Sequence, residues 1–185
     1  FKDIVARMAA RSGVAGSEDA LETSPSSSVS GNELLGTATN ALVSLNGVYR
    51  AMYTAGVSNS SNTHQCFGIT AYNLVADVMG EDCIMNGQGS GWFWYDCVYN
   101  VKSRYTSTGW RSYDMWNGYY TWISNVNYIL AEEETMSGSE TEKNYVLGQA
   151  YAVRAYSYFM LAQMFSRTYK GHEREPCVPL YTEPT

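Results

Sequence analysis

The chain has 185 residues, 45% of them hydrophobic, and carries a net charge of −6. That length accommodates one substantial core and leaves little room for a second, so a single domain is the starting expectation. No two Lys or Arg residues are adjacent, which excludes the basic footprint of a nucleic-acid binder. The most apolar stretch, around Tyr156–Phe165, is interrupted by Ser157 and Gln163 and falls short of the roughly 20 residues that span a bilayer. Phe1-Lys2-Asp3 has none of the character of a secretory signal, so a targeting segment is expected to be absent or removed.

Residues Ser12–Gly36 are rich in Ser, Gly and Thr, contain Pro25 and lack periodicity. They read as a tether or as chain laid over the body, and the expected division is 1–38 as an extended, loop-rich segment and 39–185 as a helical body. From Thr39, the residues Leu42, Leu45, Tyr49, Met52 and Tyr53 recur at helical spacing and predict a first helix through Ala55. A polar break over Gly56–Thr63 leads to a second, carried by Ile69, Tyr72, Val75, Ala76 and Met79, with Gly80 placed to end it in a left-handed conformation.

Periodicity fails between Gly80 and Trp110, where three alternating glycines, Gly87, Gly89 and Gly91, precede four consecutive aromatics, Trp92-Phe93-Trp94-Tyr95. This predicts a long loop with room for a short strand. Trp116, Tyr119, Ile123, Val126 and Leu130 restore the helical pattern in a third helix that ends in an acidic run, Glu132-Glu133-Glu134, read as solvated. Ser139-x-x-Glu142 is a capping box, and the fourth helix it opens can run to about Ser166. Its residues from Val146 to Phe165 are apolar nearly all round, with Gly148, Ala150, Ala152, Ala155 and Ala162 small enough for close helix packing. This predicts that the fourth helix is the central, buried one, with Ala155 in a tight contact. Four helices joined as Thr39–Gly80 and Trp110–Ser166 hairpins point to an all-α fold of tetratricopeptide-like helical hairpins with long loops, an expectation weakly echoed by Leu147-Gly148-x-x-Tyr151.

Three segments together resemble the SusD/RagB family of outer-membrane glycan-binding lipoproteins. Asn40–Tyr53, with the lead-in Leu21–Ser30, is similar to the family's amino-terminal entry into its first helix. Met115–Leu130 resembles its Trp-x-x-x-Tyr-x-x-Ile-x-x-x-Asn helix. Gly148–Leu161 resembles its Leu-Arg-Ala-x-x-Tyr-Phe signature and is followed, as there, by Val178-Pro179-Leu180. The resemblance implies an amino-terminal portion whose domain is incomplete without a carboxy-terminal part. It also implies glycan binding at the cell surface, delivery to a TonB-dependent outer-membrane transporter (SusC-like), and outer-membrane anchoring through an amino-terminal lipid whose Cys this chain lacks. A helical-repeat adaptor for peptides or proteins is the alternative.

The residues offer little for catalysis, and neither an enzyme nor a cofactor is expected. His64 and His172 stand alone, without metal-ligand or hydrolase spacing. A glycosidase needs two carboxylates across a sugar; Glu81, Asp82 and Asp96 are available, but Glu81-Asp82 reads more simply as a solvated turn. The glycines lack the following helix of a dinucleotide fingerprint. Cys66, Cys83, Cys97 and Cys177 contain no Cys-x-x-Cys pair and read as isolated thiols or one disulfide.

The chain holds 16 Tyr, 5 Trp and 5 Phe against 16% charged residues, a balance that suits neutral polar ligands. A sugar binder sets aromatic plates beside amide, carboxylate or guanidinium groups. Trp92, Trp94 and Tyr95 are the candidate plates, with Asn86, Gln88, Asp96 and Arg111 as polar partners and Trp110 and Tyr113 completing the surface. In an extended segment, Trp92 and Trp94 would share one face and Phe93 and Tyr95 the other, though any single ring could instead pin the loop to the body. Arg154, within an apolar helix, is expected to anchor to carboxylate or carbonyl groups, and Asn117, Asn125 and Asn127 to bridge helices.

Overall fold

A computed structural model describes residues 35–56, 62–100 and 109–184. The expected amino-terminal segment lies outside these residues except for its last four. The elements are helices α1 (Ala38–Ala51), α2 (Ile69–Met79), α3 (Trp94–Cys97), α4 (Trp110–Ala131) and α5 (Glu140–Phe165). No strand occurs among the described residues, where an isolated bridge pairs Thr37 with Ser137.

Local chemistry sets the helix boundaries. Thr37 Oγ1 accepts from Asn40 N–H at 3.1 Å to open α1, and Ser137 N–H donates to Gly36 O at 2.9 Å, tying that entry to the α4–α5 connection. The capping box forms as expected: Ser139 Oγ accepts from Glu142 N–H and Glu142 Oε2 accepts from Ser139 N–H at 3.0 Å. With 26 residues, α5 is about 39 Å long at the standard rise. Gly80 ends α2 in an extended conformation, φ −75° and ψ 174°, and not in the left-handed one expected of it. A positive φ stands instead at the other end of α2, at Gly68, φ +69° and ψ −144°. A Cβ there would strike the Met52 carbonyl oxygen, which accepts from Ile69 N–H. Only glycine lets the chain pass that close.

The expected central helix is displaced by one. Half of α4 is buried, whereas α5 buries one face through Val146, Leu147, Ala150, Val153, Ser157 and Leu161. Gly148, Ala152, Ala155 and Phe159 of α5 are exposed, so Ala155 is not the tight contact expected of it. The reason is position: α4 packs against α5 and α1, while Tyr72 of α2 reaches its side. α1 presents Ala38, Ala41, Leu45 and Val48 to this core, and its helix partners are α4 and α5, not the neighbouring α2.

Tyr72 joins α2 to α4. Its ring centroid lies 5.3 Å from Tyr119 and 6.0 Å from Trp122, and its hydroxyl donates to Asp114 O at 2.9 Å. Room for that hydroxyl comes from Gly118, where an added Cβ would collide with it. At the other end of α4, a terminal strap is held by its main-chain carbonyls. Tyr120 and Tyr158 hydroxyls donate to Pro179 O and Tyr181 O at 2.7 and 2.8 Å. Asn127 Nδ2 donates to Tyr181 O at 2.9 Å, and Arg154 donates to Asn127 Oδ1 at 2.9 Å and Thr182 O at 3.3 Å. The expected carbonyl anchor of Arg154 is therefore present. Asn127 bridges α4 to α5 through it, whereas Asn125 is exposed.

In most helix interiors Gly→Ala stabilises by roughly 0.5–1 kcal/mol. At Gly118 the sign reverses, because Tyr72 is fully buried and cannot move aside. Gly118→Ala is expected to lower stability by about 1–3 kcal/mol in thermal melts followed by circular dichroism; an unchanged or raised melting temperature would refute this packing.

Candidate functional site

Within the expected loop the aromatic segment forms a turn, without the short strand for which there was room. Gly91 N–H donates to Gln88 O at 2.7 Å, Trp94 N–H to Gly91 O at 3.2 Å, and α3 begins at Trp94. Phe93, between them, is left-handed at φ 56°, a conformation that costs a non-glycine residue roughly 1–3 kcal/mol. Alternation of faces is lost. Phe93 turns into the core at 7% exposure, Trp94 is half-buried, and Trp92 and Tyr95 remain about half exposed.

Three partners hold Phe93 in place. Its N–H donates to Gln65 Oε1 at 2.9 Å, its ring meets Phe67 edge-on at 6.2 Å, and the Arg111 guanidinium lies 5.1 Å from its centroid. Arg111, in the first turn of α4, is 3% exposed. Its Nη2 pairs with Asp96 Oδ2 at 3.2 Å, its Nη1 donates to Gln65 O at 2.6 Å, and Trp110 covers it at 4.2 Å. Burial lowers its pKa to about 10, with Cys66, Asp114 and Tyr72 opposing the shift, so it stays charged at neutral pH. Breaking such a buried pair by removing one partner typically costs about 3–5 kcal/mol.

Above this anchor lies a cleft of about 540 Å³. Trp92, Tyr95 and Trp110 supply its aromatic wall, and Asn62, Gln65, Gln88 and Asn100 supply carboxamides. His64 stacks on Trp92 at 4.7 Å with planes 11° apart, backing one face of the indole. Among the expected site residues, Gln88, Trp92, Tyr95, Asp96, Trp110 and Arg111 line the cleft, while Asn86, Trp94 and Tyr113 do not. Asp96 and Arg111 contribute from below as a mutually neutralised pair. Sequence reasoning did not single out Asn62, Gln65 or Asn100, because an isolated amide in a polar stretch carries no spacing signal.

Asp96 is the one carboxylate lining the cleft among the described residues, and Glu81 and Asp82 are exposed outside it. The two-carboxylate geometry of a glycosidase is not assembled there. A second hollow, about 700 Å³, lies between the end of α5 and residues 166–177. Its ion pair, Arg167–Glu175, has side chains 69% and 45% exposed.

All four cysteines are free, with Cys83 and Cys177 exposed. Cys66 is buried beside Arg111. Burial, then the adjacent Asp114 carboxylate, pushes its thiol from 9.0 up to about 12, with Arg111 opposing. A folded pKa above the unfolded one means stability that is complete below pH 9 and lost as pH rises toward 12. Tyr119 and Tyr120, raised chiefly by burial, act in the same direction. Melting temperature should therefore fall along an alkaline limb that Cys66→Ala makes shallower; an identical limb in the variant would show that Cys66 does not contribute.

A SusD-like family model, described as starch-binding and associating with the outer membrane, matches residues 77–185. No curated protein and no solved structure matches the chain. The matched residues contain α3, α4, α5 and the aromatic segment. They amount to more than half of the sequence, and the all-α body agrees with the tetratricopeptide-like architecture of that family. With that match over more than half of its length, the chain belongs to the SusD-like family.

Proposed function

We propose that this chain is part of a cell-surface, outer-membrane protein that binds oligosaccharide without cleaving it and passes it to a TonB-dependent transporter. The observation that carries the binding half is the cleft, in which half-exposed Trp92 and Tyr95 stand beside carboxamides. A pyranose offers an apolar C–H face and a rim of hydroxyls that both donate and accept. Flat rings match the face, and amides match the rim. A peptide-binding repeat would use a concave helix surface, whereas these plates sit on a turn between helices. Transport is supported by the family's outer-membrane association. No described helix is long and apolar enough to cross a membrane, so the described helices cannot carry sugar across by themselves.

Stacking on Trp92 buries apolar area at about 25 cal/mol per Å², so Trp92→Ala should weaken oligosaccharide binding about five- to thirty-fold with little change in melting temperature. Half-buried Trp94 should behave oppositely, losing stability more than affinity when truncated. Isothermal titration and thermal melts of both variants test this. If Trp92→Ala unfolds the chain, or leaves all saccharide affinity intact, the cleft is not the site.

The transporter half is tested separately. The full-length protein, tagged and extracted gently from outer membranes, should bring down a TonB-dependent β-barrel. Recovery of the protein alone, under conditions that preserve other outer-membrane complexes, would argue against that partner.

A further inference from the structure

Gln65 makes both of its side-chain hydrogen bonds through one atom. Oε1 accepts from Phe93 N–H at 2.9 Å and from Arg111 Nη2 at 3.4 Å, while its main-chain oxygen accepts from Arg111 Nη1 at 2.6 Å. Two donors converging on one atom settle which end of the carboxamide is oxygen, because a flipped amide would set donor against donor. The other arm of the fork, Nε2, makes no hydrogen bond among the described residues. Gln65 is half-buried and forms part of the cleft wall.

We propose that Gln65 is a specificity-determining residue of the cleft, whose Nε2 donates to an oxygen of the bound sugar and whose aim is fixed by Phe93 N–H and Arg111. This rests on the oligosaccharide reading of the cleft. Among the described residues, no side-chain hydrogen bond fixes the other lining amides, Asn62, Gln88 and Asn100, so Gln65 is the donor whose direction is set before ligand arrives. Such a donor discriminates best between sugars that place an acceptor oxygen at that point and epimers that do not. The lock has a structural duty too, since it holds the left-handed Phe93 that turns Trp92 and Tyr95 toward the cleft.

Two substitutions separate the duties. Gln65→Glu keeps the acceptor and removes the donor; Gln65→Leu removes both. Each variant of the full 185-residue chain is titrated with malto-, cello-, xylo- and mannohexaose, and hydrogen exchange is followed at the Phe93 amide. Gln65→Glu should keep the protection of Phe93 and the melting temperature, yet bind the preferred hexaose about tenfold more weakly and with a changed order of preference. Gln65→Leu should lose both protection and affinity. The proposal is overturned if Gln65→Glu binds as the parent does, since the amide would then only prop the turn. It is equally overturned if Gln65→Glu fails to fold or exposes Phe93, since the carboxylate should satisfy both donors. Trp92→Ala in the same titrations tells the two readings apart. Loss there with none in Gln65→Glu removes this inference alone. A chain that binds none of the hexaoses, or binds them equally well without Trp92, removes both.

Discussion

The cleft depends on one buried cation. Arg111 enters the protein interior at the first turn of α4, where an uncompensated guanidinium would be prohibitively costly. Its compensation is drawn from separate stretches of chain. Asp96 comes from α3, the Gln65 carbonyl from the turn before α2, and the rings of Phe93 and Trp110 close on its faces. Arginine suits this place because a planar fork can bond at its rim while rings cover it, which the compact ammonium of lysine cannot do. Bringing Asp96 within 3.2 Å fixes where α3 starts, and that in turn sets the left-handed turn at Phe93.

From Arg111 the consequences run down α4. Asp114, one turn on, lends its carbonyl to Tyr72, and Gly118, a further turn on, opens the space that Tyr72 fills. The helix is thus bonded on its flank by side chains answering main-chain groups, a pattern repeated at its far end by Asn127 and Arg154 against the strap carbonyls. Polar anchors at both ends explain how α4 can be the most enclosed helix while burying Arg111, Asp114 and Asn127. Burial here follows from the number of elements converging on a helix, and each convergence needs its own satisfied hydrogen bonds.

That distinction marks what the sequence could disclose. The helices were legible from period and caps: Ser139 and Glu142 form the box they spell, and Arg154 finds carbonyls as a lone cation on an apolar helix must. The burial order was not legible. An all-round apolar composition is what a central helix shows, but Gly148, Ala152 and Ala155 are compatible with either solvent or a neighbour, and here they are exposed. In the cleft, residue type points to Trp92 and Tyr95, yet alternate faces exist only on an extended backbone, and this backbone turns. Nothing about phenylalanine announces φ 56°. That conformation is imposed by Gln65 and Arg111, which lie 28 and 18 positions away along the chain. Asp96 and Arg111 read as separate polar partners for a ligand for the same reason, lying 15 residues apart in sequence.

On the proposed reading of the cleft as an oligosaccharide site, the strained turn also bears on how it would hold a sugar. Each contact with a saccharide is weak, because every hydroxyl that bonds protein must first give up water. Net affinity then rests on how little order must be created on binding. A tryptophan free to rotate would lose that freedom for each ligand captured. Trp92 is instead backed by His64 over a nearly parallel face, and the backbone beside it is held by the bond from Phe93 to Gln65. The cost of the left-handed residue is met once, in folding, by burial of the Phe93 ring and the Arg111 network. Strain accepted there is what would leave the aromatic plates already in position for the proposed ligand.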